Sequence, residues 1–261
     1  MSSLLEIRDL TKIFGHNTVN EKVALNKVSL TLNDGDFLTI IGNNGAGKST
    51  LLNCIAGVHM PDAGRVMLDG EDITKLPEHK RARSIGRVFQ DPLKGTAFDM
   101  TIEQNLAIAY YKNSPRGLQP GITKRDREYF REQLAMLDMG LEDKMTQRMK
   151  TLSGGQRQAL TLFMAVIAGP KLLLLDEHTA ALDPAATEKV LSLTREYSKR
   201  PGMCTLMITH DMGDALAYGN KTILMRNGTI SMEIEGEERA GMTVDRLVEK
   251  FRITNDRMLL D

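Results

Sequence analysis

The sequence contains little cysteine, no excess of either charge and no long apolar run. Two cysteines among 261 residues, Cys54 and Cys204, cannot form a disulfide framework, so we expect a reducing compartment. The 34 Lys and Arg residues balance the 34 Asp and Glu residues, which weighs against nucleic acid as the main partner. No apolar stretch reaches the length of about 18 residues that a bilayer span needs, and residues 1–8 contain no apolar signal core. We therefore expect a protein of the cytoplasm.

Strand patterns and helix patterns alternate along the chain, and 41% of the residues are hydrophobic. Phe37–Ile41 is a short apolar run that ends at a glycine, which is typical of a buried central strand, and Leu172–Leu175 and Thr205–Ile208 have the same character. From about residue 101 to residue 168 the helical period dominates. These patterns predict an α/β fold, in which a core of apolar strands carries a helical insertion.

Several local signals add detail to this prediction. Asn227-Gly228 between two β-rich runs predicts a hairpin turn. Thr123 with Asp126 resembles a capping box at the start of a helix. The basic stretch His79–Arg83 is interpreted as a solvated helix face rather than a contact patch. Both cysteines flank apolar runs, and we expect them to be small core residues.

A glycine-rich segment after the first apolar strand matches the phosphate-loop pattern. It lies between the strand Phe37–Ile41 and a helical stretch that stops at Gly57, which is the context the pattern requires. Glycines allow successive N–H groups to face a phosphate, and the helix N-terminus adds partial positive charge. Lys48 would reach the β- and γ-phosphates, and Ser49 would be a ligand of Mg²⁺. The candidate nucleotide-binding residues of this loop are Gly42, Asn43, Asn44, Gly45, Ala46, Gly47, Lys48, Ser49 and Thr50.

Two acidic residues follow the four-leucine strand Leu172–Leu175. Asp176 and Glu177 stand where that strand ends, at the sheet edge where α/β proteins bind ligands. Asp176 is the candidate for holding Mg²⁺. Glu177 is the candidate catalytic base, which would orient and polarise an attacking water.

The segment Leu152-Ser153-Gly154-Gly155-Gln156, just upstream of the four-leucine strand, resembles the signature motif of ABC-type ATPases. Its apolar helical continuation gives a second helix N-terminus that can donate N–H groups to an anion. The resemblance implies that this site, formed by Ser153, Gly154, Gly155 and Gln156, serves the ATP of a partner subunit. Two ATP molecules would then be held between two chains, and hydrolysis would open the pair.

The resemblance covers most of the chain and assigns further residues by their motifs. Phe14 resembles the aromatic residue that stacks on adenine, and Gln90 resembles the glutamine that senses Mg²⁺ and the γ-phosphate. His210 resembles the histidine that contacts the γ-phosphate, and Asp183 resembles the residue of the loop at the dimer interface. The implied catalytic residues are Glu177, His210 and Gln90, and the implied metal ligands are Ser49, Gln90 and Asp176.

The resemblance also implies the architecture, as one ABC ATPase domain over residues 1–261. We expect a P-loop NTPase core with a mixed sheet and an N-terminal antiparallel β subdomain, formed by residues 1–90 and 166–261. Residues 91–165 are expected to form the inserted helical subdomain that carries the signature.

One position departs from the family pattern. The family usually has proline after the Asp-Glu pair, whereas here His178 precedes Thr179. Histidine leaves the backbone freer than proline and adds a group that titrates near neutrality. The Asp-Glu-His-Thr pattern resembles that of a branch of bacterial ABC ATPases that serve uptake systems with a separate substrate-binding lipoprotein.

The main hypothesis is an ATP-binding and ATP-hydrolysing subunit of a membrane transporter, a bacterial importer with separate membrane-spanning chains. Its cofactors would be ATP and Mg²⁺. Its partners would be a second copy or a homologous ATPase subunit, a transmembrane permease docked near residues 91–100, and an extracytoplasmic substrate-binding protein, with no nucleic acid. We expect it to lie on the inner face of the cell membrane, bound through the permease. The alternative is a soluble ABC ATPase of a cytosolic assembly system such as iron–sulfur cluster biogenesis, but those signatures usually have glutamate where Gln156 stands.

Overall fold

The computed structural model describes residues 3–91, 93–114 and 120–256, with side chains as far as residue 252. The chain divides into two compact units, formed by residues 1–82 with 200–261 and by residues 83–199. Among the described residues, the elements of the first unit are β1 (Leu5–Phe14), β2 (Lys22–Leu32), β3 (Phe37–Ile41), α1 (Lys48–Ala56), β4 (Ala63–Leu68), β5 (Glu71–Asp72), α2 (Glu78–Arg81), β8 (Cys204–Ile208), α7 (Met212–Ala217), β9 (Lys221–Arg226), β10 (Thr229–Glu235), α8 (Gly236–Ala240) and α9 (Val244–Asp256). Those of the second are β6 (Ile85–Val88), α3 (Ile102–Tyr110), α4 (Lys124–Met136), α5 (Gly154–Val166), β7 (Leu172–Asp176) and α6 (Pro184–Ser198), with a short 3₁₀ turn at Met149–Thr151.

The first unit contains an antiparallel sheet and a set of strands around β3. The antiparallel sheet has the order β2-β1-β4-β5, and Leu5 is paired with Leu32 on one side and Leu68 on the other. β3 runs parallel to both β8 and β9, and β10 is antiparallel to β9. Every residue of β3 is buried, as expected for an apolar strand with neighbours on both sides.

The second unit contains a parallel pair of strands and its helices. β6 and β7 are parallel, with Val88 opposite Leu175. The leucines of β7 are fully buried, and α5 buries most of its residues. The α/β class with its antiparallel sheet, mixed strands and helical segment, expected from the sequence, is confirmed.

The local sequence signals correspond to observed features. Asn227 and Gly228 form a two-residue connection between β9 and β10, both with positive φ, as a tight hairpin turn requires. Thr123 and Asp126 form the expected capping box of α4. Cys54 and Cys204 are buried in the first unit, and burial raises the pKa of their thiols to about 11 and about 12.

The interpretation of His79–Arg83 as a solvated face is wrong for one residue. Arg81 is only 2% exposed, and its guanidinium donates hydrogen bonds to backbone carbonyl oxygens, including those of Cys54 and Ile55 in the last turn of α1. In residues 3–91, 93–114 and 120–256, no helix has both the length and the apolar character needed to cross a membrane.

Candidate functional site

The glycine-rich segment forms a tight loop that leads directly from β3 into α1. The Ala46 N–H donates to the Asn43 carbonyl (3.1 Å), and α1 begins at Lys48 with Gly47 as its N-cap residue. Gly47 has φ +101°, and a Cβ at this position would lie 2.6 Å from the carbonyl oxygen of Ala24. Only glycine fits this turn, so the strand can pass into the helix without displacing its neighbours.

Lys48 places its positive charge at the centre of this loop. The side chain is buried, and its Nζ donates hydrogen bonds to the carbonyl oxygens of Gly42 (2.7 Å) and Asn43 (3.1 Å). The first N–H groups of α1 lie at the same end of the helix and carry its partial positive charge. Ser49, in that first turn, is exposed. The loop therefore has the charge and the donors that a phosphate group requires.

His210 lies beside the start of the same loop, because β8 pairs in parallel with β3. The Thr209 N–H donates to the Ile40 carbonyl (3.2 Å), which aligns the carboxyl ends of the two strands. A cavity of about 310 Å³ opens there, and it is lined by Ile41, Gly42, Asn43, Asn44, Thr209, His210, Met212 and Phe251. The structure thus brings together the predicted histidine and the predicted phosphate loop within the first unit.

Phe14 is the last residue of β1 and is 36% exposed. Its ring makes an edge contact with the His59 ring, with 5.2 Å between centroids, and the Lys12 ammonium lies 5.5 Å from the ring centre. The sequence interpretation did not include His59, since a single histidine in a loop carries no recognisable signal. An exposed aromatic face with a cation nearby has the properties needed to stack on a purine base.

In the second unit, the predicted acidic residues and glutamine lie at one edge of the strand pair. Asp176 is the last residue of β7, and Gln90 is exposed two residues beyond the end of β6. Because the two strands are parallel, their carboxyl ends meet at this edge. Arg87, which the sequence did not single out, has an Nη2 atom 4.0 Å from the Asp176 carboxylate and lies over the ring of Phe89.

Glu177 and His178 follow directly, in an unusual backbone conformation. Glu177 has φ +46°, in the left-handed region that residues with a Cβ rarely adopt. The His178 ring is buried, and its Nε2 lies 3.0 Å from the Oγ1 atom of Thr194 in α6. Burial lowers the pKa of His178 to about 4. The expectation of a group that titrates near neutrality is therefore wrong, because the ring is removed from solvent.

The signature segment forms the beginning of α5. Ser153 is the N-cap residue, its Oγ accepts from the Gln156 N–H (3.2 Å), and the Gln156 side chain accepts in return from the Ser153 N–H (3.3 Å). The helix begins at Gly154, so both glycines lie in its first turn rather than before it. A Cβ on Gly155 would lie 2.6 Å from the Ala186 Cβ in α6. The glycine thus allows close contact between α5 and α6, while Ser153 and Gly154 stay exposed.

The loop after β7 ends at Asp183, which caps α6. One carboxylate oxygen of Asp183 accepts from the Ala186 N–H (3.0 Å), and Pro184 occupies the first helical position. This capping explains the residue type locally. The role at a dimer interface stays a prediction, and so does permease docking near residues 91–100, of which Pro92 lies outside the described residues.

A family model described as ABC transporter matches residues 25–180 of the chain. The chain belongs to the ABC transporter family. It is 38% identical to the tyrosine transport ATP-binding protein of Clostridioides difficile, over 95% of this chain and 98% of that protein. It is also 38% identical to the methionine import ATP-binding protein MetN of Symbiobacterium thermophilum, over 95% of this chain and 72% of that protein. Of MetN from Corynebacterium efficiens, the chain spans 61%.

Solved structures agree with this assignment. The ADP conformation of MJ1267, an ATP-binding cassette of an ABC transporter, superposes with a TM-score of 0.78 at 28% identity, covering 97% of this chain and 99% of that one. The cassette MJ0796, in a dimeric post-hydrolysis state bound to ADP and phosphate, gives a TM-score of 0.76 at 28% identity, with 88% and 98% covered. The chain is therefore an ABC-type ATPase, and the resemblance inferred from its motifs is confirmed.

In this ABC ATPase, the candidate site residues fall into two groups, one in each unit. The first unit holds Phe14, the phosphate loop at residues 42–50, and His210. The second holds Gln90, Asp176, Glu177, Asp183 and the signature residues 153–156. The donors predicted for a metal ion are a hydroxyl, an amide and a carboxylate, and such oxygen ligands suit Mg²⁺.

Proposed function

We propose that this ABC ATPase is the energy-providing subunit of a bacterial importer, and that two copies close over two ATP molecules and drive a separate permease. One observation carries the proposal. The phosphate loop places the Lys48 ammonium at the N-terminus of α1, and the start of α5 at Ser153 is a second, exposed helix N-terminus in the same chain, which we take as a second candidate anion site. A second anion site has a purpose if it completes the pocket of another copy.

The residues divide the chemistry of ATP hydrolysis between them. The α1 N-terminus and Lys48 hold the β- and γ-phosphates, and the Phe14 ring stacks on adenine. Glu177 accepts a proton from the attacking water and orients it, while His210 and Gln90 contact the γ-phosphate region. Ser49, Gln90 and Asp176 are the residues that would hold Mg²⁺, and the ion would neutralise charge on the phosphate oxygens.

The names of the relatives support the direction of transport. The matched proteins are named for tyrosine transport, methionine import and, at 32% identity, spermidine and putrescine import. We infer by analogy that this chain serves the uptake of a small organic solute. Its membrane association then comes from the permease.

The first test removes the proposed base. Glu177→Gln keeps the shape of the side chain, so we expect ATP binding to persist while turnover falls by about 10²–10⁴ and an ATP-bound dimer accumulates. Glu188→Gln, at an exposed position in α6, is the matched control and should hydrolyse ATP at the normal rate. ATP hydrolysis and the sedimentation of the dimer are the measurements. Normal turnover by Glu177→Gln would remove Glu177 from the mechanism.

A second test separates binding from turnover. Lys48→Ala removes the charge at the centre of the phosphate loop, so nucleotide affinity itself should fall. Lys75→Ala, an exposed lysine of the same unit, should bind as the unmodified chain does. Unchanged affinity after the loss of Lys48 would contradict its assignment.

A third test addresses the shared pocket. A mixed dimer of Ser153→Arg and Lys48→Ala chains retains one pocket in which both halves are intact. We expect that mixture to hydrolyse ATP when each homodimer alone does not. If the mixture stays inactive, the shared-pocket arrangement is contradicted.

Co-purification of the native complex in mild detergent then identifies the partner. A polytopic membrane protein in the complex supports the transport function, and a soluble scaffold contradicts it.

A further inference from the structure

Glu177 is held in a conformation that its own residue type disfavours. Its φ of +46° brings the Cβ close to the following carbonyl, so the backbone adopts this geometry only when its surroundings impose it. The segment before Glu177 is fixed by β7, whose leucines pair in register with β6. Holding Glu177 in this conformation also requires a contact that fixes the backbone after it, at His178.

His178 provides that constraint. Its side chain is 2% exposed, and its Nε2 lies 3.0 Å from Oγ1 of Thr194, which is completely buried. Thr194 belongs to α6, whose inner face is packed through Val190, Leu191, Leu193 and Tyr197. The ring therefore links the residue after Glu177 to a helix that is buried along one face. In the same turn, the Ala180 N–H donates a hydrogen bond to the Glu177 carbonyl (3.1 Å).

The hydrogen-bond pattern also selects one tautomer of the ring. The Thr194 hydroxyl has a single proton, and it donates to the Val190 carbonyl at 2.9 Å. Oγ1 of Thr194 can therefore only accept from the ring, so the proton of the neutral imidazole lies on Nε2. A neutral Nε2–H donor that is buried against a fixed acceptor is a specific and directional anchor.

We propose that His178 is a positioning residue for Glu177, and that its hydrogen bond to Thr194 holds the carboxylate of Glu177 in the orientation that ATP hydrolysis requires. The proposal rests on the function proposed above, in which Glu177 is the base. Proline, the usual residue of the family at this place, restricts the backbone through its ring. In this chain a buried side-chain hydrogen bond provides the restriction.

Four variants test this role. Thr194→Val removes the acceptor without changing the shape of the side chain, and Thr194→Ser keeps it. His178→Gln retains a donor close to the place of Nε2, and His178→Asn does not reach it. Displacing the base lowers the rate of the chemical step by about 10–100-fold. We therefore expect Thr194→Val and His178→Asn to reduce kcat by this factor, while the KM for ATP stays nearly unchanged. Thr194→Ser and His178→Gln should recover most of the rate. If the folded Thr194→Val chain keeps its full kcat, the proposal is overturned.

A double variant distinguishes positioning from a general structural effect. Since His178 acts through Glu177, adding Thr194→Val to Glu177→Gln should lower the residual rate no further. A further loss of similar size in the double variant would show that the pair acts on something other than the base. If Glu177→Gln by itself hydrolyses ATP normally, the assignment of Glu177 as the base is wrong. That outcome contradicts the proposed function, whereas a failure confined to the Thr194 and His178 tests contradicts only the positioning role.

A measurement without turnover completes the test. The ¹⁵N chemical shifts of the histidine ring nitrogens report the tautomer, and the His178 signal is assigned by its loss in His178→Asn. We expect the Nε2–H tautomer in the unmodified chain. The Nδ1–H tautomer would overturn the assignment of the ring as the donor to Thr194, even if valine at position 194 prevented folding.

Discussion

Replacing Arg81 with methionine is predicted to destabilise the protein strongly, because this buried guanidinium supports the end of the phosphate-loop helix. Its nitrogens donate to the carbonyl oxygens of Cys54 (2.7 Å) and Ile55 (2.9 Å), which belong to the last turn of α1. They also donate to the carbonyl oxygens of Leu76 and Thr74, each at 2.7 Å. One side chain thus satisfies four backbone acceptors.

The expected magnitude follows from these four contacts. Hydrogen bonds from a charged donor contribute about 1.5–3 kcal/mol each, so four would sum to about 6–12 kcal/mol. The substitution also removes the cost of burying the charge, which is several kcal/mol. We therefore expect a net loss of about 3–5 kcal/mol in the free energy of unfolding, a large part of the stability of roughly 5–15 kcal/mol typical of proteins.

Urea unfolding followed by circular dichroism measures this loss, and hydrogen exchange of the α1 amides shows whether the helix end frays. Arg83→Met is the matched control, because Arg83 is exposed two residues further along the chain and should change stability by at most about 0.5 kcal/mol. If Arg81→Met and Arg83→Met unfold at the same urea concentration, the argument from the four carbonyl contacts is refuted.

Two further predictions concern the second unit. Gly155→Ala should lower the free energy of unfolding by about 1–3 kcal/mol, because the new methyl group would lie 2.6 Å from the Ala186 Cβ. Gly154→Ala is the control: its nearest contact would be at 3.6 Å, so it should leave thermal unfolding unchanged. Burial lowers the pKa of His178 to about 4, so its contribution to stability is complete above the unfolded value of about 6.5 and is lost as the pH falls towards 4. At pH 5 the free energy of unfolding should be lower by about 2 kcal/mol. Urea unfolding at several pH values measures this loss, and the same pH dependence for the unmodified chain and for His178→Gln would contradict the prediction.

Patterns within short segments were predicted well from the sequence. β3 has the predicted bounds, Asn227-Gly228 forms the predicted turn, and Thr123 with Asp126 forms the predicted capping box. Each of these features depends on residues that are neighbours in the chain, so the pattern and its structural cause lie in the same segment. The family followed from several such motifs in the right order.

Features that depend on distant residues were missed or misjudged. Arg81 was interpreted as solvated, yet its partners include Cys54 and Ile55, more than twenty residues away. Arg87 was not singled out, although it lies beside Asp176, which comes from a different strand. No local pattern distinguishes a buried arginine from an exposed one when its acceptors are backbone carbonyls.

The order and chemistry of the motifs were determined by the sequence alone: a phosphate loop, an acidic strand end and a signature helix of an ABC-type ATPase. Only the tertiary structure decided how His178 behaves. In the sequence it is a titratable residue in place of proline, whereas in the fold its ring is buried, burial lowers its pKa, and its Nε2 lies 3.0 Å from Oγ1 of Thr194. The reason is physical, since the protonation and the hydrogen-bond partner of a side chain depend on solvent access and on groups brought from elsewhere in the chain.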